Sequence, residues 1–174
     1  MITVEQLRSI MPYAGARADT FAAPLNAAMD EFEINTPARQ AAFLAQIAHE
    51  SGSLKYVKEL ASGGAYEGRT DLGNTEPGDG VFFKGRGLIQ ITGRSNYRDC
   101  GEALFLQLLE QPELLEQPVN ACRSAGWFWK SRGLNDLADA GDFRQITRKI
   151  NGGYNGYADR LAFYQRAQQV LGGS

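Results

Sequence analysis

The stretch from Thr36 to Glu59 constrains this chain more than any other. Thr36 is a helix cap, Pro37 suits a first helical position, good helix formers follow, and Gly52 is a stop. Together they predict a helix from about Pro37 to Ser51. Phe43, Ile47 and Glu50 are related by steps of four and three, so a carboxyl projects from the side that Phe43 and Ile47 bury. Burial beside apolar groups disfavours the charged form and raises a carboxyl pKa, by up to ~3 to 5 units when complete, which suits a general acid near neutral pH. The plainer reading is that Glu50 sits in a fraying last turn and reaches water. Glu59 follows on a short helical segment over about 54–60.

The rest of the chain reads as packing elements around this one. Thr3-Val4-Glu5-Gln6 is a capping-box pattern that starts a helix ending near Pro12. A second helix, about Asp19 to Phe32, presents Phe21, Leu25, Ala28 and Met29 on one side. From Ala61 to Gly93 the composition turns Gly-rich, with turn signals at Asp71-Leu72-Gly73-Asn74 and Pro77-Gly78-Asp79-Gly80, which predicts a small antiparallel hairpin or three-stranded sheet. Within it, period two places Gln90 and Thr92 on one face of a strand, with Ile89 and Ile91 on the other. Helices are expected from Ser95 to Leu109, from Asn120 to Arg132, from about Asp142 to Asn151 with Gly152 or Gly153 as a left-handed stop, and from about Tyr157 to Leu171. The fold class is mainly α (α+β), one domain over 1–174 with an N-terminal helical part at about 1–35.

Charge and composition exclude several functions. Eighteen basic against 20 acidic side chains leave no excess that would advertise a nucleic-acid partner. From Arg123 onward eight Lys or Arg face four acids, a bias that suits an anionic polymer or simply solvated helix faces. No stretch is apolar for long enough to span a bilayer, so no stable membrane insertion is expected. Met1 to Arg8 lacks the basic start and apolar core of a secretion signal, so synthesis in the cytoplasm is expected. Cys100 and Cys122 form no metal-type cluster and read as reduced core thiols.

The chemistry narrows by elimination. His49 is the single histidine, so His49-Glu50 cannot begin a His-Glu-x-x-His zinc site, and no phosphate loop or dinucleotide fingerprint is present. No metal and no cofactor are implied. His49 reads as a residue that bonds neighbouring backbone and supports the adjacent acid. What survives is a pair of carboxylates, the arrangement that glycoside hydrolysis uses: one acid protonates the leaving oxygen, the other attacks or activates water. Separations of ~5 to 5.5 Å give retention, and ~6.5 to 9.5 Å give inversion. By position alone Glu59, Glu67, Glu76 and Asp79 are rival second acids.

Five blocks, in order, carry a family likeness: Ala45-Gln46-Ile47-Ala48-His49-Glu50-Ser51, Phe83-Lys84-Gly85-Arg86-Gly87-Leu88-Ile89-Gln90-Ile91-Thr92-Gly93, Ala125-Gly126-Trp127-Phe128-Trp129, Ile150-Asn151-Gly152-Gly153 and Ala158-Asp159-Arg160-Leu161-Ala162-Phe163-Tyr164. From about residue 37 to 167 the chain resembles the family 19 glycoside hydrolases, chitinases and their bacteriophage endolysin relatives. The resemblance implies a lysozyme-like, mainly helical domain with the small Gly-rich β-region beside its groove. It implies that Glu50 is the general acid, Glu59 the general base, and Thr92 a holder of the attacking water. Gln90, Asn96, Asn151 and Arg160 match positions that bind sugar or orient the acids, with His49 behind them. The reaction implied is a single inverting displacement. The region between Glu59 and Phe82 is shorter than in plant chitinases, their disulfides are missing, and Asn155 stands near an additional acid of theirs. These departures favour the endolysin branch, a monomer acting on peptidoglycan glycan strands as a muramidase after a separate pore-forming protein admits it to the periplasm. Chitin or chito-oligosaccharide hydrolysis with the same residues, or glycan binding without turnover, are the alternatives.

Overall fold

A computed structural model describes residues 1–172. Its helices are α1 (Val4–Ile10), α2 (Arg17–Glu31), α3 (Pro37–Glu50), α4 (Asp79–Phe82), α5 (Arg94–Leu104), α6 (Pro118–Ser131), α7 (Leu134–Asp139), α8 (Phe143–Asn151) and α9 (Tyr157–Leu171), with short 3-10 turns at Pro12–Ala14, Gly64–Tyr66, Thr70–Leu72 and Pro112–Glu116. The capping box forms as expected, with Thr3 accepting from Gln6 N–H and Gln6 accepting from Thr3 N–H. Thr36 accepts from Arg39 N–H at the start of α3, a cap of about 1 kcal/mol.

Helix α3 is the central element. Every residue from Ala41 to Ala48 is buried, and the helix packs on α9 and α7 while α2 packs on α6. Small residues on α3 let these neighbours approach, and the large ones interlock: the rings of Phe43 and Trp129 meet edge to face at 5.3 Å. Trp129 donates its indole N–H to Asn135 at 2.9 Å, and Asn135 in turn donates to the Phe32 carbonyl. Fully burying Phe43, Leu44 and Ile47 contributes about 1.5–3 kcal/mol each. Leu7, Ile10 and Met11 belong to the same core, and α1 packs on α9, so the first helix and the last close over each other.

The expected sheet does not form. Among the described residues β-structure is limited to two antiparallel bridges, Lys58 with Arg86 and Arg86 with Ile91. Three segments meet at Arg86, yet none continues as a ladder. Gln90 has a left-handed backbone, φ 62°, so residues 87–90 make a turn rather than the middle of a strand. The segment at 54–60 is also not helical. Gly52, Ser53 and Leu54 are successively left-handed, at φ 59°, 56° and 70°, which reverses the chain immediately after α3 and sends 57–59 alongside 85–87. Ser51 fastens that reversal, donating its hydroxyl to Ile47 O and accepting from Leu54 N–H.

The loop from Ala61 to Gly93 is held by polar anchors in place of a ladder. Asp79, almost wholly buried, takes both forks of Arg94 at 2.8 and 2.9 Å, and the guanidinium holds its carboxyl below the usual carboxylate range against the opposing effect of burial. Glu67 accepts from Gly78 and Gly80 N–H. Arg86 reaches Glu116 at 2.9 Å, the Phe82 carbonyl and the Tyr97 hydroxyl. Cys100 and Cys122 are free and buried.

Candidate active site

Glu50 ends α3, and its side chain retains a fifth of its exposure. It faces α9 and meets a guanidinium there, where the helical spacing predicts an apolar surface. Its Oε1 lies 2.7 Å from Nη2 of Arg160, a residue of α9 that is itself only 1% exposed. The guanidinium is fixed on its other edges: Nε donates to the Asn155 carbonyl at 3.0 Å, and Nη1 donates to Oε1 of Gln46 at 2.6 Å. Asn155 N–H donates to Oδ1 of Asn151 at 3.1 Å, so Asn151 shapes the loop that holds Arg160. His49 points at Asp159, with Nδ1 2.7 Å from Oδ2, where a backbone partner was expected. Its ring covers Gly156, whose missing Cβ would stand 2.3 Å from His49 Cε1.

Glu59 is anchored differently, by the chain reversal and the bridge at Arg86. Its backbone N–H donates to Gly85 O at 2.9 Å, Gly85 N–H donates back to its Oε1 at 2.6 Å, and Tyr66 donates its hydroxyl to Oε2 at 3.2 Å. Desolvation, then the Glu59 charge and this bond, keep the Tyr66 hydroxyl protonated above its ordinary range. Gln90 and Thr92 both lie over Gly85: a Cβ there would meet Gln90 Oε1 at 2.7 Å and Thr92 Oγ1 at 3.3 Å. Thr92 donates its hydroxyl to Gln90 O, Gln90 donates its amide to Gly87 O, and Asn96 donates to Thr92 O at 2.8 Å. The strand that was to align Gln90 and Thr92 is thus replaced by a turn that brings both over the same glycine.

The structure therefore sorts the expected residues into two sets on either side of the Ser51–Lys58 reversal. Glu50, Arg160, Asn151 and His49 form one; Glu59, Thr92 and Gln90 gather around Gly85, with Asn96 bonded to Thr92, and form the other. The rival acids are used elsewhere: Asp79 is neutralised by Arg94, Glu76 stands 3.8 Å from the same guanidinium, and Glu67 caps two glycine N–H groups. Among the described residues no group of three His, Cys, Asp or Glu could hold a metal ion. Recesses of about 850 and 440 Å³ lie at the α1–α2 edge and beside Phe105, lined by none of these residues. Sequence reading missed Tyr66, Gln46 and Asp159. Gln46 left a signal, since a polar residue four before Glu50 on a buried helix shares its side.

Similarity to known proteins identifies the family. The family model described as chitinase class I, glycoside hydrolase family 19, matches residues 15–140. A glycosyl hydrolase family 19 domain-containing protein of Haemophilus influenzae is 31% identical over 159 residues, 73% of this chain and 77% of that protein. An endochitinase of Arabidopsis thaliana is 40% identical over 114 residues, 65% of this chain and 39% of its own, so the chain spans about two fifths of the plant protein's length. Chitinase C of Streptomyces griseus superposes with a TM-score of 0.81 at 27% identity, covering 98% of this chain and 76% of that one. The chain has the lysozyme-like helical fold of these enzymes and belongs to glycoside hydrolase family 19.

Proposed function

We propose that the protein is an endolysin-type muramidase that hydrolyses β-1,4-glycosidic bonds of bacterial peptidoglycan by one inverting displacement. Glu50 gives a proton to the leaving oxygen, and Glu59 takes one from a water that the Thr92 hydroxyl helps to hold. The observation that carries this reading is that the two carboxylates are anchored by unlike partners. Glu50 is set by a buried guanidinium, and Glu59 by a backbone N–H and a phenol. Each is held in one orientation before substrate arrives, which is what positional catalysis requires. Gln90, Asn96 and Asn151 supply amides for the N-acetyl and hydroxyl groups of an amino-sugar chain, and binding energy spent there orients the scissile bond.

The preference for peptidoglycan rests on the compact connection between Glu59 and Phe82, closed by Glu67, Asp79 and Arg94 in place of a longer lobe. Within this proposal a separate pore-forming protein lets the enzyme reach the wall from the host cytoplasm, where it acts as a monomer. Chitin is the second reading, favoured by the endochitinase and chitinase C relatives.

Digestion of purified sacculi and of colloidal chitin decides between them. Soluble muropeptides whose borohydride-reduced end is muramitol support the muramidase reading, and release of sugars from chitin alone overturns it. Glu50→Gln and Glu59→Gln, made separately, are expected to lower kcat by roughly 10²- to 10⁴-fold with the fold intact. Full activity in either variant removes that residue from the mechanism, and NMR detection of a β-anomer as first product removes inversion.

A further inference from the structure

Gln46 occupies the middle of α3, where every neighbouring residue from Ala41 to Ala48 is buried, and it is wholly buried itself. An amide there costs free energy unless all its groups are bonded, and an apolar side chain of similar size would hold α3 against α9 at least as well. Its partners form one continuous chain. Thr147 of α8, also wholly buried, donates its hydroxyl to the Phe143 carbonyl four residues earlier at 3.0 Å. With its proton committed, the Thr147 oxygen can only accept, and it takes Nε2 of Gln46 at 3.0 Å. That fixes which end of the amide points where. Oε1 is left facing Nη1 of Arg160 at 2.6 Å, and Nη2 of the same guanidinium meets Glu50 at 2.7 Å.

We infer that Thr147 and Gln46 are positioning residues of the reaction: a one-way hydrogen-bond relay from α8 through α3 that turns the Arg160 guanidinium onto Glu50. The relay works by sign. Without an acceptor at Thr147, nothing prevents the Gln46 amide from rotating half a turn and presenting its N–H₂ to a guanidinium that can only donate. Arg160 then loses one of its three fixed edges, and Glu50 loses its set orientation. Neither residue touches substrate, so the effect falls on the chemical step. This rests on the reading of Glu50 as the acid.

The test uses the whole chain with Thr147→Val, which keeps the shape and removes the acceptor, and Thr147→Ser, which restores it. On whichever polymer the wild type hydrolyses, Thr147→Val is expected to lower kcat roughly 10- to 100-fold with KM within about twofold, and Thr147→Ser to recover most of it. Nitrogen-15 NMR of labelled arginine reads the relay without turnover: the Arg160 Nη protons are slow to exchange in wild type and in Thr147→Ser, and fast in Thr147→Val. Gln46→Leu, which fills the space without either bond, reproduces the Thr147→Val loss. Unchanged Nη exchange in Thr147→Val overturns the inference, as does a kcat equal to wild type. If the wild type cleaves neither polymer, the proposed function fails and the exchange measurement still decides the relay.

Discussion

Tyr66 shows how much of the site is decided by single contacts. It donates its hydroxyl to Oε2 of Glu59 from a 3-10 turn seven residues away, and Asn74 holds that turn by donating to the Tyr66 carbonyl at 2.9 Å. A hydrogen bond to a charged group contributes about 1.5–3 kcal/mol when sheltered, less at a half-exposed site such as this. Tyr66→Phe is therefore expected to lower kcat about three- to tenfold with KM near the wild-type value, because Glu59 keeps the Gly85 N–H but gains freedom to rotate. An unchanged kcat in steady-state assays would show that Gly85 alone orients Glu59. Among residues, Glu50 was legible because helical periodicity is local, and the family blocks pointed to Arg160. Tyr66 was not, since its meeting with Glu59 depends on how the intervening turns close, and nothing in residue type announces that path.

Elements divide along the same line. Helices whose ends carry a cap or a stop were legible nearly to the residue: α3 begins at Pro37 after Thr36, α8 ends at Asn151 before left-handed Gly152, and α9 runs from Tyr157 to Leu171. The segment after Gly52 and the supposed sheet were not, because Ser53, Leu54 and Gln90 take positive φ that their types do not advertise. Gly156 is where an element boundary and the site coincide. It precedes α9, its φ is 72°, and the His49 ring sits where a Cβ would go. Its carbonyl accepts the N–H of Arg160 at 2.9 Å, so a shift of Gly156 is passed to the guanidinium. Gly141, at φ 69° with open space around it, carries the same backbone cost without the clash. Gly141→Ala is expected to cost about 1 kcal/mol in urea unfolding, and Gly156→Ala about 1–3 kcal/mol together with a marked loss of kcat. Equal stability and equal activity in the two variants would mean that the His49 ring simply moves aside.

At the scale of the molecule, three of the eight cations from Arg123 onward pair with acids of the first fifty residues. Arg123 takes Glu31 at 2.9 and 3.0 Å, Lys130 takes Glu33 at 2.8 Å, and Arg160 takes Glu50. A sequence shows the segregation and not the partners, so the basic third looked freer than it is. The exposed pairs of Arg123 and Lys130 contribute little each, and the larger dependence of stability on pH comes from the core. Cys100, Cys122 and Tyr97 are wholly buried. Burial pushes the Cys100 thiol up to about 12 and raises Cys122 and Tyr97 as well. In the unfolded chain thiols ionise near 8.5 and tyrosine near 10. Above about pH 8.5 the unfolded chain therefore binds fewer protons than the folded one, and stability falls as pH rises until the folded values are reached; below that the contribution is constant. Between pH 8 and 10.5 each thiol is expected to remove about 2 to 3 kcal/mol, at 1.36 kcal/mol per unit. Urea unfolding across that range should show the decline, and the double variant Cys100→Ala with Cys122→Ala should flatten most of it even though its stability at pH 7 is lower, because two cavities replace two thiols. A slope that survives the double substitution would place the alkaline sensitivity on Tyr97 and its bonds to Arg86 and Lys84, the contacts that tie the Gly85 segment to α5.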